Sequence, residues 1–577
     1  MKILPPEVER RRRLVTRAVP LTLVAVIAFA LGASAGTPGS PQRDAARRFT
    51  EAWARGDFAA MYGELSAASR RPLTEADFER DYREAAEAAT LRTIDPHSPE
   101  NAETSRGRTI VPVEVEAVTA AFGDVAGTIR IPFSGDGVDW DPSLVFPGLR
   151  RGERLEGHVE LAPRAPILAR DGTALARGPA EAREHPLGGA AIDVTGEMGM
   201  PSAEDLPILS RQGFGPDTPV GVSGLERAFN ARLAGRPGGT LLAIGGDASA
   251  RILARSRPSP GIPLETTIDP RLQIAAVAAL GGREGGIAVL DARNGDVRAL
   301  AGQAFSAPQP PGSTFKIVTT TAALEKGVVS LGDEFAVTNG VDVGGRFINN
   351  ANGEYCGGTF RQAFAESCNA DFAPLGPKIG NDALVATAER FGFNAPPSLY
   401  APRILRLIDP PEPSIPTEIG SELDLGVTAI GQGEVLATPL EMASVAQTIA
   451  NRGLREPTSI VASPPGLRPH ARPVRATSPK IAAELTELMV GVVTSGTGTA
   501  GAISQAQVAG KTGTAELGPE PGQQNKPNPV QIKDAWFAAF VPAQRARLAI
   551  GVLLVDAHAA GGEVAAPAAA QVLSAGF

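Results

Sequence analysis

The sequence predicts a multidomain α+β protein, and three observations carry that expectation. The chain has 577 residues, more than one ordinary domain holds. Hydrophobic residues make up 43%, enough for real cores and too many for general disorder. Helical and strand-like periodicities come in blocks. Helices precede strands near the N-terminus, and an early strand pair is separated by helical stretches from three late strands.

The elements follow in chain order. Arg10, Arg11, Arg12, Arg13 and Arg17 precede an apolar run over 18–35, about long enough to cross a bilayer. The arginines are expected to stay in the cytoplasm and direct everything beyond residue 36 outward. Ala33-Ser34-Ala35 also fits a small-residue cleavage site, so anchor and cleaved leader both stand open. After a short Pro/Gly linker, 44–55 reads as an amphipathic helix with Ala46, Phe49 and Trp53 on its apolar stripe. A second helix runs from Thr74, an N-cap, to about 89, and strands are expected over 109–118, 125–133 and 138–145. The block 151–258 holds Arg164-Ala-Pro-Ile-Leu-Ala-Arg170-Asp171-Gly172, with a hairpin turn at Asp171-Gly172, and later Ser223-Gly-Leu-Glu226-Arg.

From residue 264 onward, 267–280 reads as a helix. Strands 286–290 and 296–301 are joined at Asn294-Gly295. A helix over 313–326 stops at Gly327, and Thr438-Pro-Leu-Glu441 is a capping box opening a helix to 451. Strands at 508–515, 535–541 and 548–555 complete an antiparallel sheet covered by helices.

Several function classes are excluded early. The formal net charge of -8 argues against a nucleic-acid partner. Two cysteines, Cys356 and Cys368, are too few for a zinc cage, and the five histidines form no zinc-peptidase pattern. No fixed-period repeat is present.

Three short motifs carry chemistry. Ser313-Thr-Phe-Lys316 follows Pro311-Gly312 and places serine and lysine on one helix face near its N-terminus. Serine needs a base, and lysine can serve once burial destabilises its ammonium form. Free N–H groups there can hold an oxyanion. Ser367-Cys368-Asn369 follows a helical stretch over 359–366. Its serine can relay a proton, and its amide can bind a substrate amide through both donor and acceptor. Lys511-Thr512-Gly513-Thr514 lies in a strand. A mid-strand glycine implies close approach of another backbone, which a substrate peptide on the strand edge would supply. Lys511 offers charge to a carboxylate, and Thr512 and Thr514 offer hydroxyls.

Each motif alone is weak; their set and order resemble the penicillin-binding transpeptidases. Gly431-Gln432-Gly433, Ala437-Thr438-Pro439, Gly496-Thr497-Gly498 and Asp534-Ala-Trp536-Phe537 extend the likeness. The stretch 138–147 resembles the end of an NTF2-like domain, and the two segments in 151–258 resemble a dimerisation or linker module. The resemblance implies a class B penicillin-binding protein in four parts: a basic tail and span (1–36), an NTF2-like domain (40–150), a dimerisation/linker module (151–258) and a serine β-lactamase-like transpeptidase domain (259–577). It implies D,D-transpeptidation of peptidoglycan stem peptides outside the cell, with no cofactor or metal, and partners in a cell-wall assembly complex. Ser313, Lys316 and Ser367 would be catalytic, with Asn369, Lys511, Thr512, Gly513 and Thr514 binding substrate. β-Lactams would acylate Ser313. A D,D-carboxypeptidase or β-lactam hydrolase, a catalytically silent scaffold and a β-lactam sensor are the rivals. The long N-terminal modules and lack of a class A glutamate motif weigh against the first, the intact motifs against the second, and the single span against the third. The export implied by the N-terminus permits a Cys356–Cys368 disulfide that would pin the Ser367 turn; two buried thiols are the alternative.

Overall fold

The computed structural model describes residues 40–105, 108–135, 137–399, 411–519 and 531–577. The arginine cluster and the apolar run over 18–35 lie outside them, and among the described residues no helix is long and apolar enough to cross a membrane. Contacts divide the chain into two compact units. One comprises the described part of Met1–Leu161 with Leu206–Gly215 and Pro237–Pro258; the other comprises Ala162–Asp205, Pro216–Arg236 and Ser259–Phe577.

In the first unit, α1 (Pro41–Ala54) opens at Ser40, whose hydroxyl accepts from the Arg43 N–H. It buries Ala45, Ala46, Phe49, Ala52 and Trp53, the spacing of one helix face. α2 (Glu75–Ala88) begins where expected, with the Thr74 hydroxyl accepting from the Asp77 N–H at 3.1 Å. Strands β1 (Leu91–Pro96), β2 (Arg108–Thr119) and β3 (Asp124–Ser134) pair antiparallel. Val111, Val113, Val115 and Ala117 are fully buried at alternate positions of β2 and share a core with Phe49, Trp53, Phe78 and Tyr82. A second antiparallel sheet has β5 (Gly238–Ile244) between β4 (Arg154–Glu160) and β6 (Ala250–Ser256). The strand expected over 138–145 does not form. Pairing ends at Val138, and Pro142–Val145 is a 3-10 turn. Asp141 accepts from the Ser143 N–H at 3.1 Å, and Pro142 has no N–H to give a ladder, so turn chemistry overrides the apolar pattern.

The second unit starts on a four-stranded sheet in which Leu264–Thr266 lies between Ile167–Leu168 and Val461–Ser463. The helix expected from 267 therefore begins later. α3 (Pro270–Leu280) is capped by Asp269 and has proline at its first position, where no N–H is needed. Beside this sheet the two segments singled out in 151–258 meet. Glu226, fully buried, accepts from Arg164 Nε at 2.8 Å and from Arg183 Nε at 2.7 Å. Arg164 also donates to Asn230 Oδ1 at 3.0 Å.

The main sheet has the order β8 (Val297–Gly302), β7 (Gly285–Asp291), β11 (Leu548–Leu554), β10 (Gln531–Val541), β9 (Ala509–Pro519), antiparallel throughout. The β7–β8 hairpin turns through 292–296, a longer loop than Asn294-Gly295 alone. Residue parity assigns the faces. Ala535, Phe537, Ala539 and Val541 join α3 and α8 (Gly561–Ser574) in one core, while Trp536, Ala538 and Phe540 join the helices between β8 and β9 in another. β7 and β11 are buried at every position because both faces are covered. The capping box at α7 (Pro439–Ala450) forms by half. The Thr438 hydroxyl accepts from the Glu441 N–H, but Glu441 Oε1 is buried without a hydrogen-bond partner among the described residues. Burial pushes that carboxyl up to about 7.

Glu226→Gln leaves two buried guanidinium groups facing an amide. It should cost about 3–5 kcal/mol in denaturant unfolding. Glu184→Gln, which breaks the exposed Arg177–Glu184 pair, should leave the midpoint in place.

Candidate active site

The nucleophile candidate lies in a single 3-10 turn, Gly312–Phe315, that feeds directly into α4 (Lys316–Lys326). Ser313 is half-buried there, at the end of the helix where N–H groups lack intrahelical partners. The turn rests on the edge strand β9. A Cβ on Gly513 would stand 2.7 Å from Pro311 O and 3.0 Å from Thr314 N. Gly312 has φ +51°, and a Cβ on it would stand 2.6 Å from Thr514 O. The close approach expected at Gly513 is real, but the approaching backbone is the chain's own 311–314 turn.

Lys316 follows, fully buried. Its ammonium donates to Ser367 O and Asn369 Oδ1, each at 2.8 Å, and lies 3.4 Å from Ser367 Oγ. The Phe372 ring centroid is 5.0 Å from Nζ. Desolvation and, secondarily, the charge of Lys511 lower the Lys316 pKa well below that of an ordinary lysine, while Asp371 opposes them.

Ser367 sits between α5 (Phe360–Glu366) and α6 (Asn369–Phe372) with φ +65°. That left-handed conformation costs about 1–3 kcal/mol in a non-glycine residue. In it the carbonyl serves Lys316 while Ser367 Oγ accepts from Lys511 Nζ at 2.8 Å. Both ends of the Asn369 amide are engaged within the protein: Oδ1 accepts from Lys316, and Nδ2 donates to Asn349 O at 3.0 Å. Through these two bonds it helps to organise the cleft.

Lys511 is fully buried, and desolvation pushes its pKa down to about 7. Its ammonium also donates to Thr512 O at 3.0 Å, and the Phe364 ring lies 5.7 Å away. Thr514 O accepts from Gln432 Nε2 at 3.3 Å. That carbonyl faces away from β10, and in an antiparallel strand the N–H of the same residue points the same way. The Thr514 N–H therefore lies on the open edge, on the side of the Ser313 turn. Thr512 Oγ1 is 2.5 Å from Thr497 Oγ1. Thr514 Oγ1 accepts from the Gly561 N–H at 3.3 Å.

The structure thus brings together Lys316, Ser367, Asn369 and Lys511 by direct hydrogen bonds, with the Ser313 turn on Gly513 and Thr514. Sequence reasoning gave no role to Thr497, Gln432, Phe364, Phe372 or Asp371. Gly496-Thr497-Gly498 and Gly431-Gln432-Gly433 were visible as motifs, but nothing in the sequence aims them at the cleft. Cys356 and Cys368 form a disulfide with a Cα–Cα distance of 5.8 Å, directly beside Ser367.

The chain also resembles known proteins over each of its modules. The penicillin binding protein transpeptidase domain matches residues 285–574, the penicillin-binding protein dimerisation domain 173–266, and the NTF2-like N-terminal transpeptidase domain 41–153. The peptidoglycan D,D-transpeptidase PbpA of Mycobacterium tuberculosis is 38% identical over 293 residues, covering 48% of this chain and 56% of that protein. PbpA of Mycolicibacterium smegmatis is 36% identical over 304 residues, with coverage of 46% and 55%. The chain thus spans little more than half the length of these relatives. Among solved structures, a D,D-transpeptidase domain of a peptidoglycan glycosyltransferase from Eggerthella lenta superposes with a TM-score of 0.56 at 29% identity, over 72% of this chain and 98% of that one. A ceftriaxone acyl-enzyme complex of penicillin-binding protein A from M. tuberculosis gives a TM-score of 0.56 at 28% identity, with coverage of 72% and 98%. The transpeptidase match takes in half of the chain and the other two precede it in order, so the chain belongs to the penicillin-binding protein transpeptidase family, as a class B member with an NTF2-like N-terminal domain.

Proposed function

We propose that this protein is a serine D,D-transpeptidase that cross-links peptidoglycan stem peptides and is acylated by β-lactams. The observation that carries the reading is the buried Lys316 ammonium, one helical turn from Ser313 and hydrogen-bonded to the Ser367–Asn369 turn, which Lys511 braces from the strand. Ser313 Oγ attacks the carbonyl of the penultimate D-Ala, and neutral Lys316 accepts its proton. The oxyanion forms between the N–H groups of Ser313 and Thr514, both fixed before the substrate arrives. The proton returns through Ser367 to the departing D-Ala amine, leaving an ester on Ser313. The amine of a neighbouring stem then attacks the ester, its proton leaves by the same relay, and Ser313 is regenerated. Lys511, Thr512 and Thr514 receive the substrate carboxylate, and the stem peptide runs along the open edge of β9. The basic cluster and the apolar run over 18–35 support a single-pass anchor with the catalytic unit outside the cytoplasm.

Penicillin should add its mass to the folded protein at Ser313, located by peptide mass spectrometry. Ser313→Ala should remove the adduct while changing unfolding stability by no more than roughly 1 kcal/mol. Labelling at Ser367 instead would reassign the nucleophile.

The two lysines should separate kinetically. Lys316→Arg keeps the charge but supplies no base, and should slow the acylation step by about 10²–10⁴-fold in stopped-flow with a chromogenic cephalosporin. Lys511→Arg should retain part of the activity, with the loss mainly in binding. Lys511 is charged below its pKa of about 7 and neutral above it. Binding of a carboxylate-bearing β-lactam should therefore weaken as pH rises from about 6 to about 8, and Lys511→Arg should flatten that slope.

Protease added to intact, wall-stripped cells should digest the catalytic unit. Protection of that unit would place it inside and overturn the topology.

A further inference from the structure

The two helices that flank Ser367 carry phenylalanines to which the reaction above gives no task. Phe360 and Phe364 lie one turn apart on α5, and Phe372 closes α6; all three are fully buried. Phe372 packs on both of the others, with ring centroids 5.4 Å and 6.0 Å away. Two of the rings meet an ammonium. Lys316 Nζ stands over the Phe372 ring, 5.0 Å from its centroid, and Lys511 Nζ stands over the Phe364 ring at 5.7 Å. The face of a benzene ring is the negative end of its quadrupole and attracts a cation within ~6 Å, the more strongly where water is excluded. Both lysines are fully buried. Oxygen acceptors at 3.0 Å or less serve each from elsewhere: Ser367 O and Asn369 Oδ1 for Lys316, Ser367 Oγ and Thr512 O for Lys511. An ammonium has three N–H groups, so a ring face adds an electron-rich surface to those two bonds.

We propose that Phe372 and Phe364 are positioning residues, an aromatic floor whose ring faces hold Lys316 and Lys511 and favour their ammonium over their amine forms. The proposal rests on the reading of Lys316 as base and Lys511 as carboxylate site, and deepens it. In acylation the Ser313 proton arrives on Lys316, so positive charge develops over the Phe372 ring. That face is in place beforehand and gains its attraction as the proton moves, so it favours the transfer itself. Phe364 serves binding instead, by keeping a charge on Lys511 for the substrate carboxylate. Burial works against both ammoniums. The charged groups that act on Lys316 are Lys511 on β9, which opposes its ammonium, and Asp371 on α6, which supports it. The rings add to these from α5 and α6 without carrying a charge of their own.

The test places ring-fluorinated phenylalanines at position 372 or 364 of the full chain by nonsense suppression. Fluorine drains the ring face and leaves its shape nearly unchanged. Binding and acylation of a chromogenic cephalosporin are followed against pH, with unfolding midpoints recorded alongside. At 372, the acid limb of acylation should move to lower pH as fluorines are added, by about one pH unit over the series. The plateau should fall roughly threefold, because a weaker base takes the serine proton. At 364, the main change should be in binding, which fades at a lower pH because Lys511 gives up its proton sooner. Phe372→Leu should reproduce the shift at 372, and Phe372→Tyr should keep the original limb. Phe360→Leu removes a ring that packs on Phe372 and should leave both profiles in place. If the most fluorinated protein unfolds, the singly fluorinated ring still reads the direction of the shift. Profiles that stay put through the series in folded protein overturn the proposal, as does an equal shift in Phe360→Leu. Lys316→Arg, measured in the same series, separates the two failures. If it acylates at an ordinary rate, the reading of Lys316 as base fails. If it is inactive while fluorination at 372 moves nothing, only the role of the ring fails.

Discussion

Removing an ammonium from water is the constraint around which this cleft is arranged. An isolated lysine charge in a protein interior costs several kcal/mol, so it must find acceptors or give up its proton. Lys316 is held between these outcomes. Two acceptors at 2.8 Å sustain the charged form, while burial and Lys511 work against it. The left-handed Ser367 is what makes this geometry available. One residue offers its carbonyl to one lysine and its hydroxyl to the other, a division that an extended or helical backbone would not give. The Asn369 amide fixes the same turn from its far side through Asn349, and the neighbouring Asn350 Oδ1 accepts from the Ala370 N–H at 2.8 Å.

The second organising feature is contact between backbones with no side chain interposed. The 311–314 turn lies on β9 at Gly513, and Gly312 lies against Thr514. Because main-chain atoms meet main-chain atoms at these two glycines, the backbone itself largely sets the position of the serine relative to the strand edge. Preorganised donors stabilise developing charge only if they need not move when it develops. This packing holds both candidate donors in place before any ligand enters.

Much of this was legible in the sequence, for a physical reason. The candidate residues Ser313, Lys316, Ser367 and Lys511 fall in short motifs because the proposed chemistry demands particular residue types at fixed local spacings. The NTF2-like, linker and transpeptidase modules were legible because their segments keep local signatures. Caps were readable too: Thr74 and Thr438 both accept from the N–H three residues on. What stayed hidden depends on distant chain. Thr497 meets Thr512 only through the fold. Val138 to Val145 misled because alternating apolar residues suggest a strand while Asp141-Pro142 imposes a turn. The 267–280 helix was placed too early because nothing local announces that 264–266 is claimed by a strand whose partners lie near 167 and 461. The segments around Arg164 and Glu226 read as separate motifs; their shared buried ion pair is a tertiary fact.

The threading of the first compact unit bears on how the protein is made. Its second sheet needs β4 from one stretch of chain, and β5 and β6 from another that follows a long excursion into the second unit. Chains emerge from the ribosome N-terminus first, and domains generally close in that order. Here that rule is interrupted. The α1, α2 and β1–β3 core can assemble early, but β4 has no central neighbour until Gly238–Ile244 has been synthesised. Until then β4 is an unpaired edge, the kind of surface on which nascent chains aggregate or meet chaperones. Completing the N-terminal unit is thereby tied to the arrival of residues whose immediate neighbours belong to the catalytic half, and no single cut of the chain would release it whole.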